Sequence, residues 1–155
     1  MERSHLWYSA FKGNHLILER NLPGLSEAQV RQRPAEGVAC VGWTLGHLIR
    51  ARQGLLKLVG RPVAEDASLA QYGRGSTGAE CGHDLPELLA RFKATAEALK
   101  VALLAVEDWD RPALNPALQV EQPLEQVVAF LYMHECYHLG QVGTARKLLG
   151  LPGAI

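Results

Sequence analysis

Two histidines one helical turn apart, His134 and His138, are the residues whose types and spacing point most directly to chemistry. They belong to a series of positions, spaced by three and four, that would face the core from one helix, where leucine, valine or alanine is usual. The series is Val127, Leu131, His134, His138, Gln141, Ala145 and Leu148. Histidines at positions i and i+4 lie on one helix face, so both imidazoles can bind one metal ion. Burying two imidazoles without partners would be costly. The spacing predicts a metal site, and the alternative is two hydrogen-bonded core histidines.

The string His134-Glu135-Cys136-Tyr137-His138 also matches the HExxH pattern of zinc metalloproteases, whose glutamate is the general base. Such a protease needs a further ligand downstream, but none of the 17 residues after His138 is His, Asp or Glu. We therefore expect no protease activity and a third ligand from upstream. Glu135 is a candidate catalytic base. It lies about 100° around the helix from His134, so it either flanks the metal or faces solvent.

His47 is the upstream candidate for the third ligand. It follows Trp43 by one helical turn, and the intervening Gly46 costs a helix up to about 1 kcal/mol relative to alanine. Close approach of another helix or of a ligand would justify that glycine. Three histidines leave coordination positions open, as in catalytic sites. Gln141 either orients a ligand or substrate or packs between helices, and Trp43 either lines the pocket or, as we favour, belongs to the core.

The other chemistry-bearing side chains are less informative. Arg52 falls in the apolar sector of its helix, where its charge needs a partner or an anionic ligand, unless the side chain extends to the surface. His15, near the apolar stripe of the first helix, either lines a cavity or is a core residue. His5 and His83 are expected at the surface. Cys136 lies off the core series and is not counted as a ligand.

Four long segments carry apolar residues at helical spacing, and none shows sustained period-two alternation. The predicted helices span about residues 4–22, with Ser4 as N-cap, then 41–59, 84–103 and 123–150, with a short helix at 26–32. The glycine-rich segment 60–83, which includes Gly78, and the segment 108–122 are two long connections. This order predicts an all-α fold, a four-helix bundle with a long connection between helices two and three, as one domain over residues 1–155.

Composition excludes several classes of protein. The chain has 155 residues, is 48% hydrophobic and balances 16 Lys and Arg against 16 Asp and Glu, so it is globular and has no charge excess for nucleic acid or an acidic membrane. It contains no apolar run of the ~18 residues that span a membrane and no signal peptide pattern. The three widely spaced cysteines contain no CxxC motif. They favour reduced thiols in the cytoplasm.

The two histidine motifs together resemble a known family. Gly42-Trp43-Thr44-Leu45-Gly46-His47-Leu48 and His134-x-x-x-His138-x-Gly140-Gln141 are similar to motifs of the DinB-like (YfiT-like) metal-binding bundle superfamily. The resemblance extends over nearly the whole chain. It implies a four-helix bundle in which His47, His134 and His138 hold a divalent metal, commonly zinc or nickel. Relatives in that family include thiol S-transferases that use bacillithiol, mycothiol or glutathione, and a mycothiol-dependent maleylpyruvate isomerase.

These observations favour a cytoplasmic metal-dependent enzyme that transfers a small-molecule thiol to an electrophile, because an open-site metal stabilises a thiolate near neutral pH. Two alternatives stay open: metal-assisted hydrolysis, and a metal-binding stress-response protein without turnover. The resemblance also implies a homodimer. Apolar residues in apparent surplus on the second long helix, Leu45, Ile49 and Leu56, point the same way.

Overall fold

A computed structural model, which describes residues 2–76 and 81–154, shows a bundle of four long α-helices. The helices are α1 (Glu2–Asn21), the short α2 (Glu27–Arg31), α3 (Val41–Leu58), α4 (Leu85–Leu104) and α5 (Leu124–Leu148). Both α1 and α3 pack against α4 and α5, so α1 lies diagonally across the bundle from α3. The predicted four-helix bundle is confirmed.

Local signals place most helix ends correctly. Asp84 accepts a hydrogen bond from the Glu87 N–H and caps α4, and Ser26 forms a capping box with Gln29 at the start of α2. The predicted N-cap Ser4 is wrong, because α1 already begins at Glu2. The Ser4 hydroxyl is buried and has tertiary partners instead: it accepts from the Trp109 indole at 3.0 Å.

The two long connections carry structure that the periodicity did not indicate. The connection between α3 and α4 contains a 3-10 helix, Ala67–Tyr72, packed on α3, whereas residues 77–80, with Gly78, lie outside the described part. The second contains a β-hairpin, β1 (Pro112–Asn115) paired antiparallel with β2 (Val120–Pro123), which packs on α5. An all-α prediction misses this hairpin because four-residue strands are too short to show alternation.

The core of the bundle has two apolar halves separated by a polar layer. One half includes Leu18, Leu48, Phe92 and Leu139, and the other includes Phe11, Leu55, Leu99 and Val127. Between them the long helices carry buried polar residues, which we call the polar layer: Asn14 on α1, Arg52 on α3, Thr95 on α4, and Glu135 and His138 on α5. Buried polar groups need partners. Because Glu135 lies between His134 and His138 on α5, the polar layer is level with the histidines of that helix.

The surplus of apolar residues on α3 is accounted for within the chain. Leu45, Ile49 and Leu56 are 0%, 1% and 3% exposed, because both apolar halves of the core draw on this helix. The expectation that they form a face for a second copy is wrong. Among the described residues, no helix is long and apolar enough to cross a membrane.

Candidate metal centre

Packing of α3 beside α5 brings His47 together with His134 and His138. The His134 Nε2 atom lies 3.2 Å from Nε2 of His47 and 3.2 Å from Nε2 of His138. In a tetrahedral centre with metal–nitrogen bonds of about 2.0–2.1 Å, neighbouring nitrogens are about 3.3 Å apart. Two of the three nitrogen pairs therefore have the spacing that a divalent metal requires, and the ligand atoms of all three histidines lie within 4.8 Å of one another.

Hydrogen bonds orient two of the imidazoles. His47 Nδ1 donates to the Tyr72 carbonyl oxygen at 2.8 Å, and His138 Nδ1 donates to Gln141 Oε1 at 2.6 Å. Because both partners are acceptors, Nδ1 carries the hydrogen and Nε2 turns its lone pair toward the cluster. Gln141 thus contacts a candidate metal ligand. This position agrees with the interpretation that Gln141 orients a ligand. Tyr72 was not anticipated, because a backbone carbonyl leaves no signal in the residue type.

The electrostatics of the cluster keep its imidazoles neutral. Burial lowers the pKa of His47, and the nearby Arg50 lowers it further. Burial and the neighbouring histidines also lower the pKa of His134, and that of His138 to about 4. A metal binds only unprotonated imidazole. Within the part of the chain that the structure describes, the cluster contains three histidines and no carboxylate or thiol, a donor set that fits a divalent transition metal.

Trp43 lies directly against the site. Its ring stacks on the His47 imidazole with centroids 4.9 Å apart and planes inclined by 9°. The indole N–H donates to Ser76 Oγ at 2.8 Å, which ties the ring to the connection after the 3-10 helix. Trp43 is half-buried and also packs on the apolar core. It therefore borders the site with one part of its ring and belongs to the core with another, so each of the two sequence interpretations is partly right.

Glu135 points into the bundle and pairs with Arg52. Its two oxygens accept from Arg52 Nη2 at 2.7 Å and from Arg52 Nε at 2.8 Å, and both side chains are almost fully buried. The Arg52 guanidinium also lies 3.8 Å above the Phe92 ring, a cation–π contact. Exposure of Glu135 to solvent is therefore excluded, and Arg52 has a partner, as one of its interpretations required. A general-base role for Glu135 stays a prediction.

Two other histidines are set apart from the cluster. His83, expected at the surface, is buried, since the connection before α4 folds back and the Tyr72 hydroxyl lies 2.7 Å from His83 Nδ1. His15 is partly buried and stacks on the Phe92 ring with centroids 5.4 Å apart. Cys136 is exposed and lies outside the cluster, as expected.

Gly46 allows the Tyr72 ring to pack against the α3 backbone. A Cβ built on Gly46 would lie 2.5 Å from that ring. We expect Gly46→Ala to lower the free energy of unfolding by about 1–3 kcal/mol through overpacking, despite the better helix propensity of alanine. Urea denaturation measures the change. Gly54→Ala is the matched control on α3, because nothing lies within 4 Å of its added Cβ. Equal effects of the two substitutions would contradict the close-packing explanation.

Comparisons with known proteins agree with this architecture. The sequence model of the DinB superfamily matches residues 15–142. A search of curated protein sequences finds no significant match. The solved structure of YfiT from Bacillus subtilis, described as "a probable metal-dependent hydrolase with an unusual four-helix bundle topology", superposes with a TM-score of 0.73 at 13% identity, covering 98% of this chain and 90% of that one. At this identity the likeness establishes a shared fold. Because the family match extends over most of the sequence, this chain belongs to the DinB superfamily.

Proposed function

We propose that this protein is a metal-dependent enzyme that transfers a low-molecular-weight thiol to a small electrophile, with His47, His134 and His138 as ligands of zinc or nickel. The observation that carries the proposal is the convergence of three imidazole Nε2 atoms in a cluster without carboxylates among the described residues. Three ligands leave at least one coordination position for a substrate atom. When bound, the metal would supply Lewis-acid stabilisation of a thiolate near neutral pH.

The surrounding residues support thiol transfer in different ways. Tyr72 and Gln141 fix the rotation of two imidazoles, and Trp43 provides an aromatic wall beside His47. Both oxygens of Glu135 accept hydrogen bonds from Arg52, and the side chain is almost fully buried, so bulk water has little access to the carboxylate. Thiol transfer needs no such base once the thiolate is formed, whereas hydrolysis commonly uses one. We accordingly propose that Glu135 acts as a structural partner of Arg52.

Metal-assisted hydrolysis is the second candidate, supported by the fold shared with YfiT, which is itself described as a probable metal-dependent hydrolase. We also propose, as expected from the sequence, a single domain that works in the cytoplasm, where the free cysteines stay reduced. Homodimer formation stays a prediction. Its support now lies in exposed apolar side chains of the hairpin, Leu114, Leu118 and Val120.

A thiol-dependence assay separates the functional candidates. The zinc- or nickel-loaded protein is incubated with monobromobimane or chlorodinitrobenzene, with and without a small-molecule thiol. Thiol transfer predicts loss of the electrophile above the spontaneous rate only when thiol and metal are both present. Turnover of ester or amide substrates without any thiol would favour hydrolysis instead. Tight metal binding with neither activity would favour a protein without turnover.

Metal release on acidification should have its midpoint below the ordinary histidine pKa of about 6.5. Protons compete with the metal for Nε2, and burial lowers the pKa of all three imidazoles in the folded protein. The unfolded chain takes up these protons near pH 6.5. In the metal-free protein, the contribution of these three histidines to the free energy of unfolding is therefore largest above about pH 6.5 and is lost as the pH falls from there toward about 4. Equilibrium dialysis against zinc gives the midpoint, and a value at or above about 6.5 would contradict this prediction.

A further inference from the structure

Arg50 lies beside the histidine cluster, and its charge has no acidic partner among the described residues. It follows His47 by three positions on α3, so the two side chains are neighbours on one helix face. The side chain is exposed, and its guanidinium reaches the backbone at Gly73, just after the Tyr72 carbonyl that holds His47 Nδ1. A cation without an acidic partner in residues 2–76 and 81–154 therefore lies next to the segment that orients a candidate metal ligand.

Gly73 makes room for this guanidinium. A Cβ built on Gly73 would lie 3.2 Å from the Ala70 carbonyl oxygen, 3.3 Å from Arg50 Nη1 and 3.7 Å from Arg50 Cζ. The backbone φ of Gly73 is −72°, a value that any residue adopts, so conformation does not require a glycine here. A side chain at this position would crowd both the Ala70 carbonyl oxygen and the Arg50 guanidinium, which lies close to the connection that borders the site.

The charge around the site is unbalanced. Imidazole ligands bind a metal in their neutral form and leave the charge of a divalent ion uncompensated. The Glu135 carboxylate, on the same helix as two of the ligands, is already paired with Arg52. Arg50, one helical turn after His47, adds a further positive charge to this side of the site. A substrate with more than one negative charge would complement this surface.

We propose that Arg50 binds a carboxylate of the small-molecule thiol and so makes the site selective for anionic thiols. This inference rests on the proposed function and names its substrate class: a thiol that carries a carboxylate a short distance from the sulfur. The sulfur would bind at the histidine cluster, while the forked N–H donors of the guanidinium match the two oxygens of a carboxylate. Arg50 thereby contributes to selectivity among thiols and is not required for metal binding.

The test is calorimetric titration of the zinc-loaded protein with mercaptopropionate and with its neutral amide, mercaptopropionamide. We expect the wild type to bind the carboxylate about three- to tenfold more tightly than the amide, the size of a partly exposed ion pair. Arg50→Gln should weaken binding of the carboxylate only and bring the ratio near one, while Arg50→Lys keeps part of the preference. Arg20→Gln is the matched control, because Arg20 is exposed on α1, across the bundle from α3.

Two results would overturn the inference while leaving the proposed function intact. One is a preference for the carboxylate that persists in Arg50→Gln, since the metal alone would then account for it. The other is an equal loss of affinity for both ligands. If neither thiol bound the zinc-loaded wild type, the proposed function itself would fail. Elemental analysis of each variant shows whether zinc content is unchanged, as we expect.

Discussion

Alanine at His47, His134 or His138 is expected to remove most of the bound metal and to leave the helical circular dichroism nearly unchanged. Structural zinc sites bind with about 10–16 kcal/mol, so one of three ligands accounts for on the order of 3–5 kcal/mol, more than a hundredfold in affinity. The fold should persist, because both apolar halves of the core are built from residues other than these histidines. Metal content after dialysis and competition with a chromophoric chelator measure the loss.

Two other variants calibrate this experiment. Gln141→Ala should weaken metal binding less, by about 10- to 100-fold, because Gln141 only orients His138. His5→Ala, an exposed histidine on α1, should have no effect. Full metal content in His47→Ala would contradict a site shared between α3 and α5. Collapse of the circular dichroism in all three ligand variants would instead mean that the metal holds the fold together.

Breaking the buried pair of Arg52 and Glu135 is expected to cost about 3–5 kcal/mol of unfolding free energy, because one charge would remain buried without compensation. Arg52→Met, Glu135→Met and Glu135→Gln are the single variants, and urea denaturation followed by circular dichroism is the measurement. The double variant Arg52→Met/Glu135→Met should recover most of the loss, since an apolar pair of similar volume carries no desolvation cost. Arg3→Ala, which breaks the pairs of the exposed Arg3 with Asp110 and Glu125, is the control and should cost at most about 1 kcal/mol.

The same variants decide the role of Glu135. If it is a structural partner of Arg52, the double variant keeps metal content and thiol-transfer activity once stability is restored. If it is a general base, Glu135→Gln and the double variant both lose activity whatever their stability. Additive single effects in the stability measurements, without recovery in the double variant, would contradict a direct energetic coupling of the two side chains.

Local sequence patterns predicted the parts of this protein that depend on one or two helical turns. His134 and His138 are four positions apart on α5, so helix geometry alone places their imidazoles together. The capping residues Ser26 and Asp84 likewise act on N–H groups three positions away. His47 was predicted as the third ligand because no ligand follows His138, because Gly46 beside it is unusual in a helix, and because its motif resembles that of a metal-binding family. That it meets His134 depends on the packing of α3 against α5.

The sequence by itself determined the helices, the polar character of the α5 core positions and the pair of histidines one turn apart. Only the tertiary structure decided that Glu135 pairs with Arg52, that His83 is buried against Tyr72, and that a backbone carbonyl orients His47. The physical reason is the separation of the interacting residues along the sequence. Interactions within a helical turn follow from the 3.6-residue repeat, whereas a partner 83 positions away is selected by packing, burial and charge, which no local pattern records.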